Sequence, residues 1–244
     1  LEKFLRGKLS VGGVQRKKLT GWQHKILCQL RFRNIFVLSS AMANEVHRLG
    51  IHARILNIGI DRQRYAPGGD VPALRNKYGI PADRPVLLHV GHIRESRNIR
   101  WLLEIQQAVP DIQVLLVGST ATQQDDAFCQ RLVHAGVIVL RDFIPDIQEI
   151  YQLANWYCFP VVKDDGAMET PLSILEGMAV DLPVITTRFG RLPELFEEDS
   201  CYRYVDSSAD IIQLLRSGFG HGCHNRPKTE PYTWRATVET LLRG

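Results

Sequence analysis

The sequence predicts an α/β protein whose core is a parallel, doubly wound sheet. Three observations predict it. From residue 86 onward, short apolar runs alternate with segments of helical period. The run 86–90, Val-Leu-Leu-His-Val, is apolar at four of its five positions and bounded by proline and glycine, as a strand buried on both faces would be. The chain has 244 residues of ordinary composition, 45% of them hydrophobic, which is enough for one core but little more than one domain of usual size. In such sheets ligands bind outside the carboxyl ends of the strands.

Each element has its own reason. The run 86–90 ends in a turn that holds Gly91, His92, Arg94 and Arg97, and Ser96 caps a helix over 97–108. Free N–H groups at a helix start, together with guanidinium forks, suit a diphosphate; the alternative is that these are solvated surface charges of a turn. Strands follow at 113–118, 137–140, 156–160, 182–187 and 202–205, separated by helices at 122–134, 147–154, 172–180, 192–197 and 208–217. Upstream, Val37-Leu-Ser-Ser leads into a helix near 41–49, and Tyr232-Thr-Trp234-Arg opens a final helix.

The stretch Glu169-Thr-Pro-Leu-Ser-Ile-Leu-Glu176 is the most informative in the chain. With Pro171 as the first helical residue, Leu172, Leu175, Glu176 and Ala179 recur on successive turns, so Glu176 sits inside the helix beside apolar neighbours. A carboxylate there needs a partner. A vicinal hydroxyl pair supplies one, donating to both oxygens; a solvated glutamate that touches nothing is the alternative. Leu172 and Ser173 offer N–H donors at the helix start, whereas Pro171 cannot.

Charge is uneven. Residues 1–33 carry nine Lys or Arg against the single acid Glu2, and the remainder has 21 basic and 25 acidic residues. Interleaved with Phe4, Leu5, Leu19, Trp22, Ile26, Leu27 and Leu30, those cations make 1–33 a candidate for peripheral contact with an anionic membrane, or simply a solvated basic face. Nucleic acid is not expected as a partner, because the rest is net acidic and has no RNA- or DNA-module signature. Five scattered cysteines, with no metal spacing, no signal peptide and no membrane-length apolar run, point to a reducing cytoplasm. His221-Gly-Cys-His224 reads as a glycine-rich surface loop, so no metal and no cofactor are expected.

The stretch around Glu176 resembles the donor-binding, C-terminal lobe of the retaining group 1 (glycogen-synthase-like) glycosyltransferases of the GT-B fold. The carriers are Glu176, Met178, Ala179, Pro183, Val184, Gly190, Pro193 and Glu194, on a family pattern that reads Glu-Ala-Met-Ala-x-Gly-x-Pro-Val through its middle. The turn at Gly91 stands where the family has Gly-Arg-(x4)-Lys-Gly, with His92 and Arg97 in the two basic positions and Arg94 between them. Gly59, Ile60, Asp61, Tyr65 and Pro67 fit the family's interdomain hinge.

The resemblance implies a Rossmann-like lobe at 68–244, a hinge at 37–67, and at 1–36 a basic remnant of the acceptor lobe. The chain then looks like a fragment missing most of that lobe, with a natural short form as the alternative. It also implies a nucleoside-diphosphate sugar as donor and an acceptor that is a saccharide, a lipid-linked molecule or a small molecule. Gly91, His92, Arg94 and Arg97 would hold the diphosphate, and Glu176 the ribose. Phe143 and Ile144 would flank the base, unless their side chains are simply core. The family's first glutamate, near the anomeric carbon, falls eight residues before Glu176 on Met168; Glu169, one residue late, takes that catalytic role or is an exposed loop acid. Met168 also leaves room for two other classes, a nucleotide-sugar-binding module without catalysis and another GT-B sugar-phosphate enzyme such as an epimerase.

Overall fold

The computed structural model describes residues 10–13, 21–22, 25, 34–48, 50–94, 97–118, 125–163 and 166–243. A small parallel sheet comes first, of strands β1 (Ser10–Gly13), β2 (Asn34–Val37) and β3 (Ala53–Ile55) in that order. Helix α1 (Ser40–Arg48) packs Val46 against Ile35 and Val37 of β2. The rest of residues 1–33, including Ser-free basic stretches such as 14–20 and also Cys28, lies outside the described residues.

The main sheet has six parallel strands: β4 (Val86–Gly91), β5 (Gln113–Gly118), β6 (Ile138–Leu140), β7 (Trp156–Phe159), β8 (Val184–Thr186) and β9 (Tyr202–Tyr204). Their order in space is β6-β5-β4-β7-β8-β9. The helices between them are α3 (Arg100–Ala108), α4 (Asp126–His134), α5 (Ile147–Gln152), α6 (Leu172–Ala179), α7 (Leu192–Leu195) and α8 (Ser208–Arg216), with α2 (Val71–Lys77) before β4 and α9 (Trp234–Leu242) at the end. Alternate strand residues feed two cores. Val86, Leu88, Leu115, Tyr157 and Val184 pack with α5 and α6 on one face, and Leu87, Val114, Leu116, Cys158 and Ile185 pack with α3, α4 and α8 on the other. The alternation of strands and helices expected from the sequence is thus a parallel α/β sheet, with termini shifted by a few residues.

Those shifts have local causes. Among the described residues the backbone is left-handed at two that are not glycine, Asn98 (φ 53°) and Asp181 (φ 65°). Each occupies a glycine position of the pattern the chain resembles, and Asn and Asp are the side chains that tolerate this conformation best. Asn98 delays α3 to Arg100, three residues after the expected start, and Ser96, the expected cap, lies outside the described residues. Asp125 caps α4, its carboxylate accepting the Phe128 N–H at 3.0 Å, so that helix starts at Asp126 rather than 122. Pro171 stands as the cap of α6 (ψ 121°) and not as its first helical residue.

Helix α2 was not expected; Asp70 caps it, accepting the Ala73 N–H at 3.1 Å. The cysteines also differ from the expectation of reduced thiols. Cys201 and Cys223 form a disulfide that ties the start of β9 to the 218–225 loop, while Cys129 and Cys158 are buried thiols. Among the described residues no helix is long and apolar enough to cross a membrane.

The chain's end returns to the segment that enters the lobe. Ile60 bridges to Thr233, its N–H donating to the Tyr232 carbonyl at 3.0 Å, and the Thr237 hydroxyl donates to the Asn57 carbonyl at 2.9 Å. Gly59 makes that approach feasible, because a Cβ there would collide with the backbone of Thr233 and Trp234. Gly59→Ala should therefore cost about 2 kcal/mol or more of stability, read as a lowered urea midpoint. An unchanged midpoint would mean that this backbone contact does not form in solution.

Candidate functional site

The crevice between β4 and β7 gathers most of the predicted residues. The chain leaves β4 toward α3 on one face and leaves β7 toward α6 on the other, so the two loops diverge and open a gap at the carboxyl edge. One wall is the 91–98 turn. Arg97 N–H donates to the Arg94 carbonyl at 3.0 Å and Arg94 N–H to the His92 carbonyl at 3.1 Å, which curls Gly91, His92, Arg94 and Arg97 into one loop.

Arg97 is the unusual member. Its guanidinium lies over the Phe159 ring, 5.9 Å from the centroid, and burial holds its pKa below the ordinary arginine range. Its Nε is buried without a hydrogen-bond partner, and among the described residues no carboxylate pairs with it. A cation partly taken out of water without a counter-charge is costly, which makes it a candidate for binding an anion. His92 differs from an arginine here: burial first, then Arg97 and Arg94, lower its pKa and favour the neutral ring. Arg94 is exposed and lines a cavity of about 460 Å³ between the starts of α3 and α4.

The other wall is α6 and the loop before it. Glu169 is 4% exposed, which rules out the reading of an exposed loop acid. Its carbonyl accepts the Arg191 N–H at 2.9 Å, and Gly190, at φ 57°, is packed so closely on that carbonyl that a side chain would not fit. Leu172 and Ser173 form the first turn of α6, where helix geometry leaves N–H groups without carbonyl partners. The Tyr157 hydroxyl, from the neighbouring strand β7, donates to the Val90 carbonyl at 3.4 Å.

Glu176 neither stands free in water nor lacks partners. Its Oε2 accepts the Tyr151 hydroxyl at 2.7 Å, and the Tyr65 hydroxyl lies close enough to the carboxylate to lower its pKa. Burial nevertheless raises the Glu176 pKa above the ordinary carboxylate value; the two tyrosines and Arg64 only partly offset it. Both tyrosines are themselves raised, by burial and by the glutamate's charge, so they remain donors. Two donors leave a carboxylate with acceptor capacity to spare.

The 141–145 turn after β6 separates the two base-pocket candidates. Phe143 is 75% exposed at the surface, whereas Ile144 is partly buried against the core. Arg64 ties this turn to the hinge, donating to the Pro145 carbonyl and to Gln148 Oε1 at 2.9 Å. Sequence reasoning missed Tyr151, Arg64, Arg191 and His89 as members of the site. Tyr65 was read only as a hinge residue, and nothing local in the sequence signals that its hydroxyl reaches Glu176. Among the described residues no group of three or more His, Cys, Asp or Glu side chains is arranged to hold a metal ion.

Comparison with known proteins follows the same outline. A family model described as "Glycosyl transferases group 1" matches residues 84–216. The D-inositol 3-phosphate glycosyltransferase of Mycobacteroides abscessus is 24% identical over 203 residues, 77% of this chain and 45% of that protein. The sulfoquinovosyl transferase SQD2 of Arabidopsis thaliana is 22% identical over 225 residues, 84% of this chain and 42% of that protein. The chain thus spans under half the length of these curated relatives. Among solved structures, Anabaena Alr3699/HepE in complex with UDP-glucose superposes with a TM-score of 0.77 at 15% identity, over 99% of this chain and 73% of the other. That likeness is one of fold, the GT-B glycosyltransferase fold. Because the family match runs from the strand that feeds the 91–98 turn to the helix behind β9 and takes in more than half of the residues, the chain belongs to the group 1 glycosyltransferases.

Proposed function

We propose that this chain is the donor-binding lobe of an enzyme that transfers a sugar, with retention, from a nucleoside-diphosphate sugar to an acceptor. The observation that carries the reading is Arg97, a half-buried guanidinium with no carboxylate partner among the described residues, at the strand end where the sheet reverses its winding. A diphosphate is the anion that fits, and the UDP-glucose held by HepE supports a nucleotide sugar as the ligand class.

In this reading Arg97 and Arg94 neutralise the diphosphate, and neutral His92 and the N–H groups of Leu172 and Ser173 add uncharged donors. Glu176 takes the ribose hydroxyls on its remaining acceptor sites, and Phe143 and Ile144 flank the base. Glu169 lies beside the anomeric carbon. As the glycosidic bond to the diphosphate breaks, negative charge grows on the leaving phosphate, so the arginines bind the transition state more tightly than the ground state. The buried Glu169 carboxylate faces the positive character that grows on the sugar ring. The acceptor, whether saccharide, lipid-linked or small molecule, would come from the lobe to which 1–36 belongs, across the hinge at 37–67, with 1–33 as its contact to a membrane surface.

Calorimetric titration with the uridine, guanosine, adenosine and cytidine diphosphates, in the presence of chelator, tests the reading. At least one should bind without a divalent cation, and Arg97→Ala should weaken it roughly tenfold or more while the matching nucleoside is little affected. Equal losses for both would place Arg97 outside the phosphate site, and failure of all four to bind would refute the donor-lobe reading.

Glu176 makes a second expectation, with a sign fixed by its pKa. Burial raises the folded-state value above the unfolded one near 4.5, so ionising this group costs stability. That cost is absent below the unfolded pKa and complete above the folded one. Glu176→Gln should therefore be more stable than the parent at pH 7.5, and its advantage should shrink as the pH falls toward 4.5. The same variant should bind ribonucleotides less tightly and their 2′-deoxy counterparts about as before. A stability difference independent of pH would show that the carboxylate is not held as described.

A further inference from the structure

His89 lies on β4, two residues before Gly91, and is wholly buried. Its Nδ1 is 2.9 Å from the Cys158 carbonyl oxygen. A carbonyl can only accept, so Nδ1 carries the proton and Nε2 is left with a bare lone pair. That Nε2 is buried and has no hydrogen-bond partner among the described residues, and the same is true of the Arg97 Nε. The two side chains converge on one spot. The point where a Cβ on Gly91 would stand is 3.1 Å from His89 Nε2 and 2.9 Å from Arg97 Nη1. A buried acceptor without a donor thus lies beside a half-buried guanidinium whose buried Nε–H is unused. Native interiors rarely tolerate such a pair unless another state of the site uses it.

We infer that His89 is a positioning residue for Arg97: when a diphosphate engages one edge of the guanidinium, an N–H of its other edge turns onto His89 Nε2 and fixes the plane of the fork. This rests on the proposed role of Arg97 in holding the diphosphate. The chemistry of the pair favours it. A two-pronged contact to phosphate depends on the orientation of the guanidinium plane, which a side chain resting on one ring face does not define. A carboxylate would hold that plane but would also cancel the charge. An imidazole holds it and leaves the charge whole, provided it stays neutral. Burial and the Arg97 charge ensure that by lowering the His89 pKa to about 4. Gly91 keeps the gap between the two side chains open, which gives this glycine a role beyond the turn itself.

The experiment compares His89→Phe, which fills the space without an acceptor, with His89→Gln, whose amide oxygen restores one. The probe is whichever of the four nucleoside diphosphates binds the parent chain most tightly, set against its nucleoside. His89→Phe should lose roughly tenfold in diphosphate affinity relative to nucleoside, and His89→Gln should recover most of it. Independently of any variant, the ring ¹⁵N spectrum of the parent should show the Nδ1–H form of His89, and its Nε2 resonance should move upfield on adding the diphosphate. An unchanged ratio in a folded His89→Phe, equal losses for diphosphate and nucleoside, or an Nε2 resonance that does not respond would each overturn the inference. If the diphosphate binds and Arg97→Ala abolishes it while these tests fail, the donor reading stands and only the role of His89 falls.

Discussion

Strands β4 and β7 lie side by side but hand the chain to opposite faces of the sheet, and the crevice left between their loops is the constraint on which the candidate site depends. Neither loop can cross the gap without colliding with the other's helix. Both therefore end at its rim, one with Arg97 and the other with Glu169 and the start of α6. The two cores flanking the sheet, each made from alternate residues of the same strands, hold the rims rigidly apart. A ligand that spans the gap meets positive charge on one side and carboxylates on the other.

Those charges share a common treatment. Glu176 is held by the Tyr151 hydroxyl with that of Tyr65 close by, and Arg97 rests on an aromatic ring beside a neutral histidine. In neither case does an opposite charge complete the pair among the described residues. Pairing Arg97 with Glu176 would satisfy both and leave little charge for a ligand. Neutral partners orient the groups while their charges stay available, at the cost of some stability in the unliganded chain. The tyrosines also pack on one another, Tyr65 edge-on to Tyr151 and Tyr151 tilted beside Tyr157, so the hinge, α5 and β7 jointly fix the position of the glutamate.

A second network joins this crevice to the small upstream sheet. Buried Arg191 donates its backbone N–H to the Glu169 carbonyl and its guanidinium to Asn57 Oδ1 at 3.0 Å and to the Leu38 carbonyl at 3.4 Å. Glu194 accepts from Ser40 at 2.8 Å and from Arg191 at 3.3 Å. The loop that carries Glu169 is thereby tied to β2, α1 and the hinge.

By itself the sequence determined the class of the fold, the strands that build it and two of the segments that line the site. Those features are local: an apolar run between proline and glycine, a helical period that places Glu176 inward, a turn with Gly91 and two arginines. The six main strands were legible for that reason, and so was the pairing of the 91–98 turn with the α6 start, since parallel strands put both at one edge. What the tertiary structure decided is who touches whom. Tyr65 and Tyr151 are 111 and 25 residues from Glu176, and His89 is an ordinary-looking residue in an apolar strand, so nothing in their neighbourhood announces a polar role. The positions of Asn98 and Asp181 became meaningful only once their backbone angles were known. Burial works the same way: the charge on Arg97 is visible in the sequence, but its desolvation, which makes it chemically significant, is a property of everything packed around it.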